Sequence, residues 1–264
     1  MDYSRYKTLL TERRGRVLTI TMNRPQALNA VNAALHEDLS RVFEDVRRDR
    51  GTDVAVLTGA GRAFSAGGDL RWMQEAIDDP ENFEKVADEA RWIVYSILDC
   101  DKPVICRLNG DAIGLGATVA LFCDIIIAAD TARIGDPHVS VGLVAGDGGT
   151  IIWPQLIGYA RAKEFLFTGE LITAPDAARI GLINHSVPVD ELDSRVNAMA
   201  DRLAAGATKA IRWTKRAVNS PLRQIAHAAM DSAIALESLS NLTRDHQEAV
   251  TAFGEKRKPR FTGR

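Results

Sequence analysis

The stretch Ile134–Gly149, IGDPHVSVGLVAGDGG, sets one imidazole and two carboxyls among closely spaced glycines. His138 titrates at about 6.5 when unperturbed, so it can accept and return a proton near neutral pH. Asp147, in AGDGG, offers a second acid or base, a nucleophile, or the group that orients His138. Its simpler role would be to brace the turn before GTIIWPQL. Asp136 precedes Pro137 and reads as a turn residue.

Two further loops carry chemistry of another kind. GRAFSAGGDL follows the strand-like run DVAVLTG, and LNGDAIGLGATVALFCD follows KPVICRL. Glycines at strand ends let backbone N–H groups face a ligand, and a helix opening near Gly114 to Ala117 adds its positive end. Two such loops can together hold one developing oxyanion, as an enolate or a tetrahedral thioester intermediate requires. Asp69, after two glycines, reads as the cap of a helix at LRWM.

The elements that must position these groups alternate along the chain. RVLTITM, DVAVLTG, KPVICRL, CDIIIAAD and ARIG predict strands. LNAVNAALHEDLSRVFEDVRRD predicts a helix with Leu28, Val31, Leu35, Leu39, Val42 and Val46 on one face, and a second helix is expected from about residue 83 to 98. Beyond Gly158 the pattern is mainly helical, with Asp190 and Gly206 as plausible caps and Trp213, Val218, Ile225 and Ala229 on one face of the tail. This is an α/β pattern of βα units followed by helices.

Composition narrows the class. The 264 residues are 46% hydrophobic and 26% charged, with net charge −2, which gives no reason to expect nucleic acid. Cys100, Cys106 and Cys123 sit in apolar surroundings without metal-ligand spacing and predict reduced, packed thiols. MDYSRYKTLL lacks the pattern of a signal peptide, and VALFCDIIIAA is interrupted by Asp124, so a cytoplasmic protein with no membrane span is expected.

The ordered motifs NRPQALNAVN, AFSAGGDLRWM, NGDAIGLGATVALFCDIIIAAD, GLVAGDGG and AFGEKRKPRF resemble the enoyl-CoA hydratase/isomerase (crotonase) superfamily over nearly the full length. The resemblance implies a crotonase-like spiral of ββα units with a helical C-terminal trimerisation region. Residues 1–200 would form the core with the acyl-CoA site, and 201–264 the region for oligomerisation as a homotrimer or dimer of trimers. The ligand would be an acyl-CoA thioester, with no cofactor beyond that coenzyme A. By position, the Gly68 and Leu115 amides would form the oxyanion hole, Ala66 would meet adenine, and Arg71 a CoA phosphate. Phe253 and Lys256 match residues that reach the nucleotide of a neighbouring subunit.

The sequence departs from that family where its hydratases carry two glutamates, one acting toward water and one toward the α-carbon. Those positions hold Thr118 and His138. A threonine hydroxyl can only orient a partner, so His138, with Asp147, is the expected acid/base. The leading expectation is a hydratase-like enzyme that stabilises a thioester enolate. Double-bond isomerisation, thioester hydrolysis and a non-catalytic acyl-CoA binder are the alternatives, with RNA binding weaker still. Trp72, Met73, Ile113, Leu115 and Trp153 are expected to line the acyl pocket.

Overall fold

The computed structural model describes residues 1–79 and 82–264. The chain opens with a hairpin, β1 (Leu9–Arg14) and β2 (Val17–Met22), then α1 (Ala33–Arg48) and β3 (Val54–Gly59). Next come α2 (Leu70–Asp78), α3 (Asn82–Asp99), β4 (Val104–Leu108), β5 (Ala112–Ile113) and α4 (Leu115–Phe122). β6 (Ile125–Ala129), β7 (Arg133–Gly135), α5 (Gly149–Thr168), β8 (Ile172–Thr173), α6 (Ala174–Arg179) and β9 (His185–Val187) complete the sheets. The chain finishes with α7 (Leu192–Ala204), α8 (Thr208–Asn241) and α9 (Arg244–Gly254).

A six-stranded sheet runs β1-β2-β3-β4-β6-β9, parallel except for the opening hairpin, and a small sheet runs β5-β7-β8. The central strands β3, β4 and β6 are covered on both faces, which is why they read as continuous apolar runs. Along β3, Ala55 and Leu57 enter the main core with α1 and α3, whereas Val54 and Val56 face a second cluster beneath Val196 and Ala200 of α7. Among the described residues no helix is long and apolar enough to cross a membrane, and the three cysteines are buried free thiols.

Several expected boundaries move. The helix expected from Leu28 begins at Ala33, because Leu28 and Asn29 are left-handed and the Asn32 side chain caps the Leu35 N–H. β1 is a strand that the pattern did not suggest. Its side chains are mostly exposed, as expected of an edge strand, and they give no alternating apolar signal. Asp190 lies in a short 3-10 turn ahead of α7 and provides no side-chain cap. Trp213 and Val218 are exposed, whereas Ile225 and Ala229 pack against the core, so the expected tail face is split.

Asp124, the charge that interrupts the apolar run, ties α8 to the sheet. Its Oδ2 accepts from the Val104 N–H at 2.7 Å and from Lys215 Nζ at 2.6 Å, and Lys215 also donates to the Lys102 carbonyl at 2.9 Å. Lys102 is itself buried and donates to the Val46 and Asp49 carbonyls at the end of α1. Breaking a buried pair by removing one partner strands the other charge. Asp124→Ala is therefore expected to cost about 3 kcal/mol in urea unfolding; a loss below about 1 kcal/mol, the range of exposed pairs, would contradict this anchoring role.

Candidate active site

His138 opens a 3-10 turn, His138–Val141, just after β7. Its Nδ1 is hydrogen-bonded to Asp136 Oδ1, and its Nε2 lies 3.5 Å from Asp147 Oδ2. Asp136 is therefore a direct partner of the imidazole, not the plain turn residue that its place before proline suggests. Asp147 is buried ahead of α5, where the Gly149 N–H contributes a hydrogen bond. Its Oδ1 accepts from the Thr118 hydroxyl of α4 at 3.2 Å. Gly149 is required here, because any Cβ would collide with Asp136 Oδ2.

Both titrating groups shift upward, for different reasons. Burial works against a charged His138, yet the Asp136 and Asp147 carboxylates hold its pKa well above the ordinary 6.5. Burial raises Asp147 above the ordinary 3.8, countered in part by His138 and by the Gly149 and Thr118 hydrogen bonds. Asp136, His138 and Asp147 offer ligand atoms within 4.8 Å of one another. The Asp136 bond to Nδ1 fixes the ring and turns Nε2 toward Asp147.

Two backbone amides face the same space. Val31 forms a strand-like bridge with Gly68: Val31 N donates to Gly67 O at 2.7 Å and Asp69 N to Val31 O at 2.9 Å. Both bonds use the neighbours of Gly68, so its own N–H faces away from Val31. Leu115 is the first residue of α4, where an N–H has no intrahelical acceptor. Among the described residues neither amide has a hydrogen-bond partner, and both residues line a cavity of about 80 Å³ with His138 and Asp147. The loops are pressed together at Gly116, where a Cβ would meet the Ser65 Cβ at 2.5 Å. Asp69 caps α2 by accepting the Arg71 N–H and binds Arg24 at 3.0 Å.

Trp72, Met73 and Leu115 line this cavity, and Ile113 lines an outer groove of about 490 Å³ that shares Gly68, Met73 and His138 with it. Trp153 does not reach either: it is fully buried and packs on Phe165. Ala66 and Arg71 line the outer groove; the Ala66 N–H is taken by the Leu28 carbonyl. Phe253 lines the groove of its own chain. Lys256 follows α9 in a left-handed turn and lines neither cavity.

Glu237, Asn241 and His246, from α8 and α9, complete the inner wall. Burial, with the Asp147 charge nearby, pushes Glu237 up to about 8, while burial holds His246 below its ordinary value. Sequence reasoning missed all three. They lie roughly a hundred residues beyond His138 in an amphipathic tail, and no local spacing marks them.

Comparison with known proteins places the chain in a family. The enoyl-CoA hydratase/isomerase family model matches residues 12–264. A short-chain-enoyl-CoA hydratase of Clostridium acetobutylicum is 35% identical over 257 residues, 95% of each chain. A solved enoyl-CoA hydratase/isomerase from Mycobacterium paratuberculosis superposes with a TM-score of 0.91 at 38% identity, covering 94% of this chain and 99% of that one. A β-diketone hydrolase from the cyanobacterium Anabaena, bound to (S)-3-oxocyclohexyl acetic acid, gives 0.85 at 29% identity, over 91% and 96%.

The clamp on His138 has a measurable sign. Because the imidazole pKa is raised in the fold, the attraction of Asp136 stabilises fully below about pH 6.5 and is lost as pH rises through the raised value. Asp136→Asn should therefore cost about 3 kcal/mol at pH 5.5 in urea unfolding, and the cost should shrink once the pH passes the raised imidazole value. A cost that stays level through the pH at which the His138 ring loses its proton would contradict the clamp.

Proposed function

The chain belongs to the enoyl-CoA hydratase/isomerase family and is an enzyme of that type, and within it we propose that the site adds water to a 2-enoyl-CoA with Asp147 and His138 in place of two glutamates. One observation carries this reading. The Asp147 carboxyl is held by Thr118, which occupies the first missing position, and faces His138, which occupies the second. The shifted pKa values support the same division: a carboxylate made more basic and an imidazolium that keeps its proton.

In this reading the thioester oxygen accepts from the Gly68 and Leu115 N–H groups, each worth about 3 to 4 kcal/mol as negative charge develops on the oxygen. Asp147 takes a proton from water as its oxygen bonds to the β-carbon. The double-bond electrons pass to the thioester as an enolate, and the enolate α-carbon takes the proton of His138. The proton that Asp147 gained then returns to His138 across the 3.5 Å gap, leaving one water added. No group beyond the substrate's own coenzyme A is needed. The outer groove suits that coenzyme: Arg71 would meet phosphate, the Ala66 carbonyl the adenine amine, and Phe253 the base, with Lys256 completing the site from a neighbouring subunit. Exposed Trp213, Leu236, Leu239 and Leu242 on and just after α8 favour assembly as a homotrimer or dimer of trimers.

A second reading is hydrolysis. The same pair could deliver water to a carbonyl carbon, and the likeness to the Anabaena β-diketone hydrolase favours it over isomerisation. A binder without activity would show no turnover.

The test is a panel of saturated, 2-enoyl, 3-enoyl and 3-oxoacyl-CoA esters incubated in deuterated water and read by mass spectrometry. Hydration predicts the mass of one D₂O, with deuterium on the α-carbon. Cleavage with release of CoA or of a carboxylic acid would transfer the assignment to hydrolysis. His138→Ala and Asp147→Asn should each lower kcat at least about 100-fold with acyl-CoA binding retained. Arg71→Ala should instead raise KM with kcat little changed. Full activity in His138→Ala would overturn the mechanism.

A further inference from the structure

The inner cavity is apolar on most of its surface, with Val31, Trp72, Ala90, Leu115 and Ile234 in its wall. One side is not. Glu237 and Asn241 are one helical turn apart on α8 and share a face, and His246 stands near the start of α9. Among the described residues the Glu237 carboxyl makes no hydrogen bond. Asn241 Nδ2 donates to the Ala76 carbonyl at 3.1 Å, and its Oδ1 accepts nothing. His246 is fully buried; its Nδ1 is committed to the Val141 carbonyl at 2.6 Å, and its Nε2 has no partner.

We infer that Glu237, Asn241 and His246 form a polar subsite that binds an uncharged oxygen function, a hydroxyl or a ketone, carried by the acyl chain beyond the reacting carbons. This rests on the acyl-CoA reading of the site. A plain hydrocarbon chain would leave three polar groups facing hydrocarbon, each at a cost in free energy, whereas a hydroxyl or ketone oxygen satisfies at least one. Sites built to hydrogen-bond a substrate reject the analogue that lacks the group. The partners also suit a neutral ligand. His246, with Nδ1–H spent on Val141, presents Nε2 as an acceptor, and Glu237, protonated at neutral pH, can donate as well as accept. A carboxylate-tipped chain would meet the Asp147 and Asp136 carboxylates nearby, offset only in part by His138, and is disfavoured.

The test is calorimetric binding of hexanoyl-CoA, its 4-, 5- and 6-hydroxy derivatives, 5-oxohexanoyl-CoA and adipoyl-CoA to the full-length protein. At least one hydroxy or oxo ester should bind tenfold more tightly than hexanoyl-CoA, and adipoyl-CoA more weakly. In Glu237→Met, which keeps the side-chain length, the preference should fall below twofold while hexanoyl-CoA binds more tightly than to the wild type. Misfolding cannot produce that gain. Hexanoyl-CoA binding as tightly as every oxygenated ester, or a preference that survives Glu237→Met, overturns the subsite and leaves the acyl-CoA reading intact. If no ester binds the wild type, the acyl-CoA reading falls and the subsite with it.

Discussion

Everything at the site depends on a buried imidazole held between two carboxylates. Asp136 fixes the Nδ1 side of His138, and Asp147 stands off the Nε2 side. In water such a charge pair is worth little; excluded from water, the site raises the proton affinity of both His138 and Asp147. The fold supplies that exclusion. β7 delivers Asp136 from the small sheet, α4 brings the Thr118 hydroxyl, and the turn into α5 carries Asp147, so three successive parts of the chain converge around His138.

The amides that would receive negative charge depend on the same economy of structure. Gly68 is left with a free N–H because its neighbours make the bridge to Val31, and Leu115 because it begins a helix. Neither requires a special side chain. Each is a backbone donor whose usual partner the topology has removed. Asp124 and Lys215, well away from this chemistry, matter to it because they set α8 against the sheet, and α8 supplies Glu237 and Asn241 to the cavity.

Much of this was legible in the sequence, for identifiable reasons. Strands buried on both faces show as apolar runs, and Asp69 after two glycines announces a cap; both read correctly. The glycine loops and His138 lie in short ordered motifs, so their convergence in one cavity could be expected. Asp136 was misread because a carboxylate before proline has the same local appearance whether it turns a chain or orients a histidine. Trp153 was misplaced because an apolar aromatic has no local signal that separates core from pocket. Glu237 and His246 were invisible, since their meaning arises only when α8 and α9 fold back over residues a hundred positions earlier. α1 starts at Ala33 instead of Leu28 because Leu28 and Val31 continue its apolar period while the left-handed Leu28 and Asn29 keep the backbone out of the helix.

The most direct measurement of the central claim is the charge of His138 itself, by nitrogen-15 NMR of the wild-type protein, with His138→Gln to assign the signals. The account predicts that both ring nitrogens are protonated at pH 7 and that titration begins only above the ordinary histidine range. A neutral ring at pH 7, or titration near or below about 6.5, would contradict it, for an imidazole without that proton has none to give to the α-carbon.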